Sequence, residues 1–240
     1  MSNLGKDYLL NSPNRSALSD RMSTLIKRWE HDGDRRVIFL SCYTLMTGNM
    51  LIAVRKGEFQ DAEWVMTLIH HFADYYFNAL DAYDSSAGSL PAVWRLTHDA
   101  AVDQETKVLQ NLLLGVNAHI NYDLALAVTD LLELEWPDLS ENERKVRYID
   151  YCYVNKIIAE TIDSVQDQLV ERYSPIMDVV DRALGPMDEW FTSQMVNHWR
   201  DEAWQHAVNM LNSQRDDRRE KMCEVLEASA LVKARLISKA

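Results

Sequence analysis

The sequence predicts an all-α protein, a single-domain bundle of eight or nine helices. Three observations carry this. The 240 residues include only 7 Gly and 5 Pro, 12 together where average usage supplies about 29, and sandwiches or barrels need turn residues far more often. The 47% hydrophobic and 26% charged fractions are those of a globular chain. Apolar residues recur at intervals of three and four along most of the chain, the period of a helix with one buried face.

The elements follow in order. Residues 1–16 form a polar leader, and 17–240 the helical domain. Leu18, Met22, Leu25, Ile26 and Trp29 place a first helix over Ala17 to about Glu30, with Gly33 as its stop. Arg36 to Lys56 is apolar on nearly every side, as a central helix is, and Gly57 ends it. Asp61 is positioned to cap a third helix carrying Trp64, Leu68, Phe72, Tyr76 and Leu80 toward Tyr83. Asp84 to Ser89 is a loop, after which Pro91 opens a short helix bearing Trp94 and Arg95. Gln104 to about Glu133 is one long apolar helix or a pair divided around Gly115. Trp136-Pro137-Asp138 breaks it, and Ser140 with Glu143 spells a capping box for a helix that runs on, without Gly or Pro, from Val146 to Arg172. Pro175 opens a short helix ending at Gly185, Pro186 opens another reaching about Asn212, and Arg215 to Ser238 is the last. There is no internal repeat, low-complexity segment or long linker.

Charge and cysteine usage exclude several classes of function. Lys and Arg number 25 against 37 Asp and Glu, a net charge of −12. The short basic clusters, Arg35-Arg36 and Arg215 with Arg218, Arg219 and Lys221, adjoin aspartates, so neither nucleic acid nor an anionic membrane is an expected partner. No uninterrupted run of 18 apolar residues occurs, and the N-terminus lacks the order of a signal peptide. Cys42, Cys152 and Cys223 are odd in number and form no C-x-x-C pair, which suits small core residues in a reducing, cytoplasmic setting.

The chemistry concentrates in Leu112 to Ala127, where Asn117, His119, Asn121 and Asp123 interrupt an apolar helix at every second position. At about 100° per residue, Asn117 and Asn121 share one side while His119 and Asp123 share another. Either two polar clusters serve two faces, or the helix is distorted near Gly115. His119 and Asp123, at i and i+4, have the spacing of two metal ligands, a divalent ion being the cofactor then implied, or of a histidine oriented by a carboxylate. A buried hydrogen-bond cluster joining helices satisfies the same pattern. His70 and Asp74 repeat the spacing beside His71, Tyr75 and Tyr76; the two pairs could build a four-ligand site in the bundle core, or His70 and Asp74 could sit on a solvated face. Arg200 and Trp204 share a face, so the guanidinium could stack on the indole or meet a buried carboxylate. His198 and His206 flank them out of alignment. On the long helix, Asn155, Asp163 and Gln166 form a polar stripe that faces either His119 and Asp123 or water. No G-x-S-x-G, Walker or dinucleotide glycine loop, H-E-x-x-H or paired E-x-x-H motif is present.

The segment from Asn111 through Gly115, Asn117, His119, Asn121 and Asp123 to Ala125 resembles the signature of the bacterial domain of unknown function 5995. Weaker matches follow in order: Phe59 to Trp64, Phe72 to Leu80, Val93 to Arg95, Val154-Asn155, Val165-Gln166, Met187 to Glu189, and Arg200 with Ala203-Trp204. The resemblance spans about Val37 to Leu211 and implies a helical domain with no common activity. It marks Asn117, His119, Asn121, Asp123, Arg95, Asn155, Arg200 and Trp204, and leaves out His70 and Asp74. The helical zinc phospholipases and nucleases share only the H-x-x-x-D spacing.

The leading expectation is a small-molecule-binding protein, and an enzyme if the pocket turns its ligand over. His119 would be the acid/base, Asp123 its orienter, Asn117 and Asn121 hydrogen-bonding groups, Arg95, Asn155 and Trp204 further binding residues, and Arg200 the anchor for an anionic substrate group. Two alternatives stand beside it: a non-catalytic interaction or scaffold protein, with a homodimer among its forms, and a metal-dependent hydrolase holding its ion with His119 and Asp123.

Overall fold

The computed structural model describes residues 13–86, 89–161, 186–213 and 218–239. Nine helical segments and no strand occur among them: α1 (Pro13–Asp32), α2 (Val37–Lys56), α3 (Ala62–Ser85), α4 (Ala92–Val102), α5 (Val108–Ala118), α6 (Leu124–Leu132), α7 (141–161), α8 (Pro186–Asn212) and α9 (Arg218–Ile237). A single π turn, His119–Asp123, joins α5 to α6 without a break. Together they make a rod from Val108 to Leu132 against which the rest is built. α2, α3 and α4 pack along one side, α8 and α9 along the other, and α1 lies on α2.

The helix ends follow the local chemistry. Gly57 terminates α2 at φ +72°, a left-handed conformation that costs other residues their Cβ clearance. The Asp61 carboxylate accepts from the Trp64 N–H at 3.0 Å at the start of α3, and buried Asp150 of α7 accepts from the preceding N–H groups of Gln60 and Asp61 at 2.9 and 2.7 Å. The capping box is made: Ser140 N–H donates to the Glu143 carboxylate at 2.8 Å, and Glu143 N–H donates to Ser140 Oγ at 3.3 Å.

Some boundaries differ from the sequence reading. α1 begins at Pro13, inside the expected leader, and α3 runs two residues past Tyr83 before Ser86 turns left-handed at φ +52°. Gly115 divides nothing, since the irregularity comes four residues later. α7 starts at the capping box rather than at Val146. Its expected continuation to Arg172, with Asp163 and Gln166, and the helix from Pro175 to Gly185 lie outside the described residues.

α2 is the one helix among the described residues long and apolar enough to cross a membrane by length and composition, with a mean hydropathy of 1.8. The polar Ser41, Thr44, Thr47 and Asn49 interrupt its apolar run. Val37, Phe39, Leu40, Tyr43, Met50 and Val54 are instead buried against the bundle, the place of a core helix. All three cysteines are free thiols.

Candidate functional site

The site grows from two glycine- and π-dependent features of the rod. At Gly115 the backbone meets the Phe39 ring of α2 so closely that a Cβ there would lie 2.5 Å from the ring's Cδ2 and 2.8 Å from Phe39 Cβ. A residue four places on begins the π turn, where the Leu124 N–H reaches back to the His119 carbonyl, one residue beyond the α-helical partner. The helix is thus distorted, four residues after Gly115. π turns of this kind collect at functional positions.

The turn does not merge the four polar residues. Two clusters face opposite ways, as helical arithmetic allowed. On the side of α2, α3 and α4, His119 Nδ1 and Asp123 Oδ2 are hydrogen-bonded at 2.9 Å. Trp94 Nε1 of α4 donates to both Asp123 oxygens at 3.1 and 3.0 Å. The pair is nearly sealed, with side-chain exposures of 4% and 1%. Five aromatic rings enclose the imidazole. Phe72 lies parallel to it at 3.6 Å and 7°, Tyr43 meets it edge-on at 4.6 Å, and Phe39, Tyr76 and Trp94 stand about it at 5.9, 6.1 and 6.1 Å. Burial drives the imidazole well below its usual pKa and the carboxyl well above, Trp94 opposing the latter by bonding the anion, so uncharged forms are favoured at both groups. His119 Nε2 is buried and has no hydrogen-bond partner.

On the other side, toward α8 and α9, the asparagines form a relay. Asn117 Nδ2 donates to the Ala230 carbonyl at 2.9 Å, Asn121 Nδ2 to Asn117 Oδ1 at 3.0 Å, and Lys233 Nζ to Asn121 Oδ1 at 2.6 Å and to Glu202 at 2.7 Å. These bonds fasten α9 to the rod.

The remaining candidates lie elsewhere. Arg200 of α8 is buried, donating from Nε to Asn155 Oδ1 at 2.7 Å and from NH2 to the Tyr151 carbonyl at 2.8 Å, its guanidinium 4.4 Å over the Tyr151 ring. Tyr151 OH returns a bond to the Arg200 carbonyl at 2.6 Å. Arg200 therefore clamps α8 to α7, and stacks on Tyr151 rather than on Trp204, which packs against Tyr148 and Tyr151. Asn155 faces Arg200, not the His119 pair. Arg95 is exposed on α4. Asp74 is exposed too and His70 half-buried; the neighbouring His71 reaches across helices, its Nε2 3.0 Å from Asp130 Oδ2, where Tyr75 OH donates at 2.6 Å and Arg219 of α9 also bonds. Exposed His198 lies 3.5 Å from Glu202.

His119 and Asp123 do not suit a metal ion as a pair. Protein metal sites draw on three or four ligands, and no group of three His, Cys, Asp or Glu among the described residues is placed to hold one. Both Asp123 oxygens already accept from Trp94, and rings surround the imidazole.

The aromatic enclosure was missed as a site, although its signal was present: Phe39 with Tyr43 and Phe72 with Tyr76 are i, i+4 ring pairs on two helices. The fold and site define an all-α bundle with a buried, ring-enclosed His–Asp pair on a π turn. The chain belongs to the family of unknown function DUF5995, whose model matches residues 16–240. No curated protein and no solved structure matches it.

Proposed function

We propose that this chain binds a small organic molecule at His119, with His119 as an acid/base group oriented by Asp123. The combination of an unpartnered Nε2 with an Nδ1 held by a carboxylate carries the reading. Leaving a buried polar atom unsatisfied costs about 1–3 kcal/mol; six other buried side-chain atoms among the described residues, His98 Nε2 included, also lack a partner, so the missing bond alone does not single out His119. Here the other ring nitrogen is held by a carboxylate that Trp94 fixes in turn, the arrangement that aims an imidazole at a reacting group. The asparagine relay and Arg200 support the bundle rather than the ligand. A ligand-observed NMR screen of neutral and charged fragments against wild type and His119→Phe tests this. Hits lost in His119→Phe are expected; an absence of hits, or hits equal in both proteins, defeats the reading.

A second reading, pairing of two copies, is favoured by α9. Val225, Val232 and Leu236 are exposed along one stripe, at 53%, 56% and 65%. Two such helices set antiparallel about the level of Ala230 bring Val225 against Leu236 and Glu224 of one copy opposite Arg235 of the other, a self-complementary contact. Sedimentation of wild type and Val232→Glu decides it: a dimer lost in the variant supports pairing, and a wild-type monomer at high concentration refutes it.

A further inference from the structure

We propose that α9 is a strap that opens from the bundle as a unit while the other helices stay seated, uncovering the Asn117–Asn121 flank of the π turn. The proposal is independent of the reading of His119, whose enclosing rings come from α2, α3 and α4.

The first argument is how little apolar surface seats α9. Leu226, Ala230 and Ala234 are its fully buried residues, so a single side chain larger than a methyl group is sealed. Met222, Cys223 and Leu231 are partly covered, and Val225, Val232 and Leu236 face outward. By contrast α8 buries Val196, Trp199, Trp204 and Met210, and α1, at the edge of the bundle, still seals Met22 and Trp29. Apolar burial is the main force holding packed helices together, and the segments with least of it are the ones that open without global unfolding.

The second argument is that the fastenings of α9 are polar. Arg219 donates to Asp130 and, at 2.9 Å, to Tyr75 OH. Glu227 accepts from the Ala92 N–H of the rod's neighbour α4. Asn117 holds the Ala230 carbonyl, Lys233 spans Asn121 and Glu202, and Gln110 Nε2 donates to the Ile237 and Ser238 carbonyls at 3.2 Å each. Water replaces such bonds at small net loss. They are spread along the whole helix, so α9 comes away whole rather than residue by residue.

The third argument is that two of these fastenings are ion pairs within reach of salt. Side-chain exposures are 52% and 21% for Arg219 with Asp130, and 23% and 38% for Lys233 with Glu202. Screening weakens pairs of this kind, so ionic strength sets how often the strap opens. The carboxylates left behind are not stranded: Asp130 keeps His71 and Tyr75, and Glu202 keeps His198 beside it. What the opening bares is Asn117 and Asn121, 0% and 5% exposed while α9 is in place.

Hydrogen exchange of the full-length Val232→Glu chain tests this. Val232 faces outward, so the substitution leaves the seat of α9 intact and prevents paired copies from holding it shut. Amides from Met222 to Ile237 are expected to exchange together, about tenfold or more faster than those of α5 and α6. Raising NaCl from about 0.1 to about 1 M should speed them a further two- to fivefold, about the factor that a screened exposed pair carries. Lys233→Met and Arg219→Gln, each added to that chain, are expected to raise the α9 rate and reduce its salt dependence while α5 and α6 keep theirs. The proposal is overturned if α9 exchanges no faster than α5 and α6, if protection is lost stepwise from Ile237 inward, or if the α9 rate responds neither to salt nor to the two substitutions.

Discussion

The Phe39 ring occupies the volume that a side chain at position 115 would need, its Cβ 2.8 Å from where a Cβ of residue 115 would be built. Alanine there gains about 1 kcal/mol of helix propensity over glycine, yet must displace a ring packed at its root as well as its rim. Gly115→Ala is expected to destabilise by about 1–3 kcal/mol, the usual cost of overpacking. The midpoint of urea unfolding measures it, and in a Phe39→Ala background, where only the Cβ contact remains, the same substitution should cost less. A neutral or stabilising Gly115→Ala would show that α2 and α5 are not held this closely.

Asp123 separates charge from hydrogen bonding. Asn keeps an acceptor for Trp94 and supplies an N–H to His119 Nδ1, so Asp123→Asn should change stability by less than about 1 kcal/mol. Leu has the same bulk and neither group. Asp123→Leu orphans Trp94 Nε1 and His119 Nδ1 together, and about 2–4 kcal/mol should be lost. If Asn proves as costly as Leu, the carboxylate charge matters rather than the bonds.

Stability against pH should show two histidines of opposite sign. His98, buried against Trp94 and Tyr83, is pushed down by burial to a pKa of about 4 from 6.5. The unfolded chain then binds its proton first, so stability is lost as pH falls from 6.5 toward 4. His71 is held above 6.5 by its bond to Asp130. Its contribution is complete below pH 6.5 and disappears as pH rises through the folded value. Unfolding followed from pH 4 to 9 should show a flatter acid limb in His98→Phe and a flatter alkaline limb in His71→Gln. Unchanged limbs would contradict the assignment.

Arg200 tests the division between support and ligand site. Lysine reaches one of the two acceptors, Asn155 Oδ1 or the Tyr151 carbonyl, and lacks the flat face that lies over the Tyr151 ring. Arg200→Lys is expected to cost about 1–3 kcal/mol in thermal or chemical unfolding, with the wild-type set of fragment hits kept. A large change in ligand affinity without loss of stability would return Arg200 to the ligand.

Helix ends were the most readable part of this chain because their causes are local. Gly57, Asp61, and Ser140 with Glu143 act on backbone groups within a few residues, and each stands where its chemistry places it. The His119–Asp123 contact was readable too, since it spans a single helical turn. Its surroundings were not. Trp94 lies 29 residues from Asp123, and nothing local distinguishes a tryptophan that bonds a carboxylate from one that fills a core. His71 meets Asp130, 59 residues on, a partner that no local spacing points to. The π turn hid for another reason: both polar pairs sit at i, i+4, a spacing that an undistorted helix provides as well, so the pattern carries no sign of the extra residue.

The surplus residue is contained within one wide turn. A π turn spreads one more residue than an α turn over the same revolution, so α6 leaves it in the phase it would hold without the insertion, with Asp130 against His71, Tyr75 and Arg219 and with Leu124, Ala127, Val128 and Leu132 buried. Removing one residue between His119 and Asp123 would therefore leave α6 near its present seat and change chiefly the contact between those two side chains, now four residues apart. A single-codon deletion in this five-residue segment should spare the bundle and strike the site.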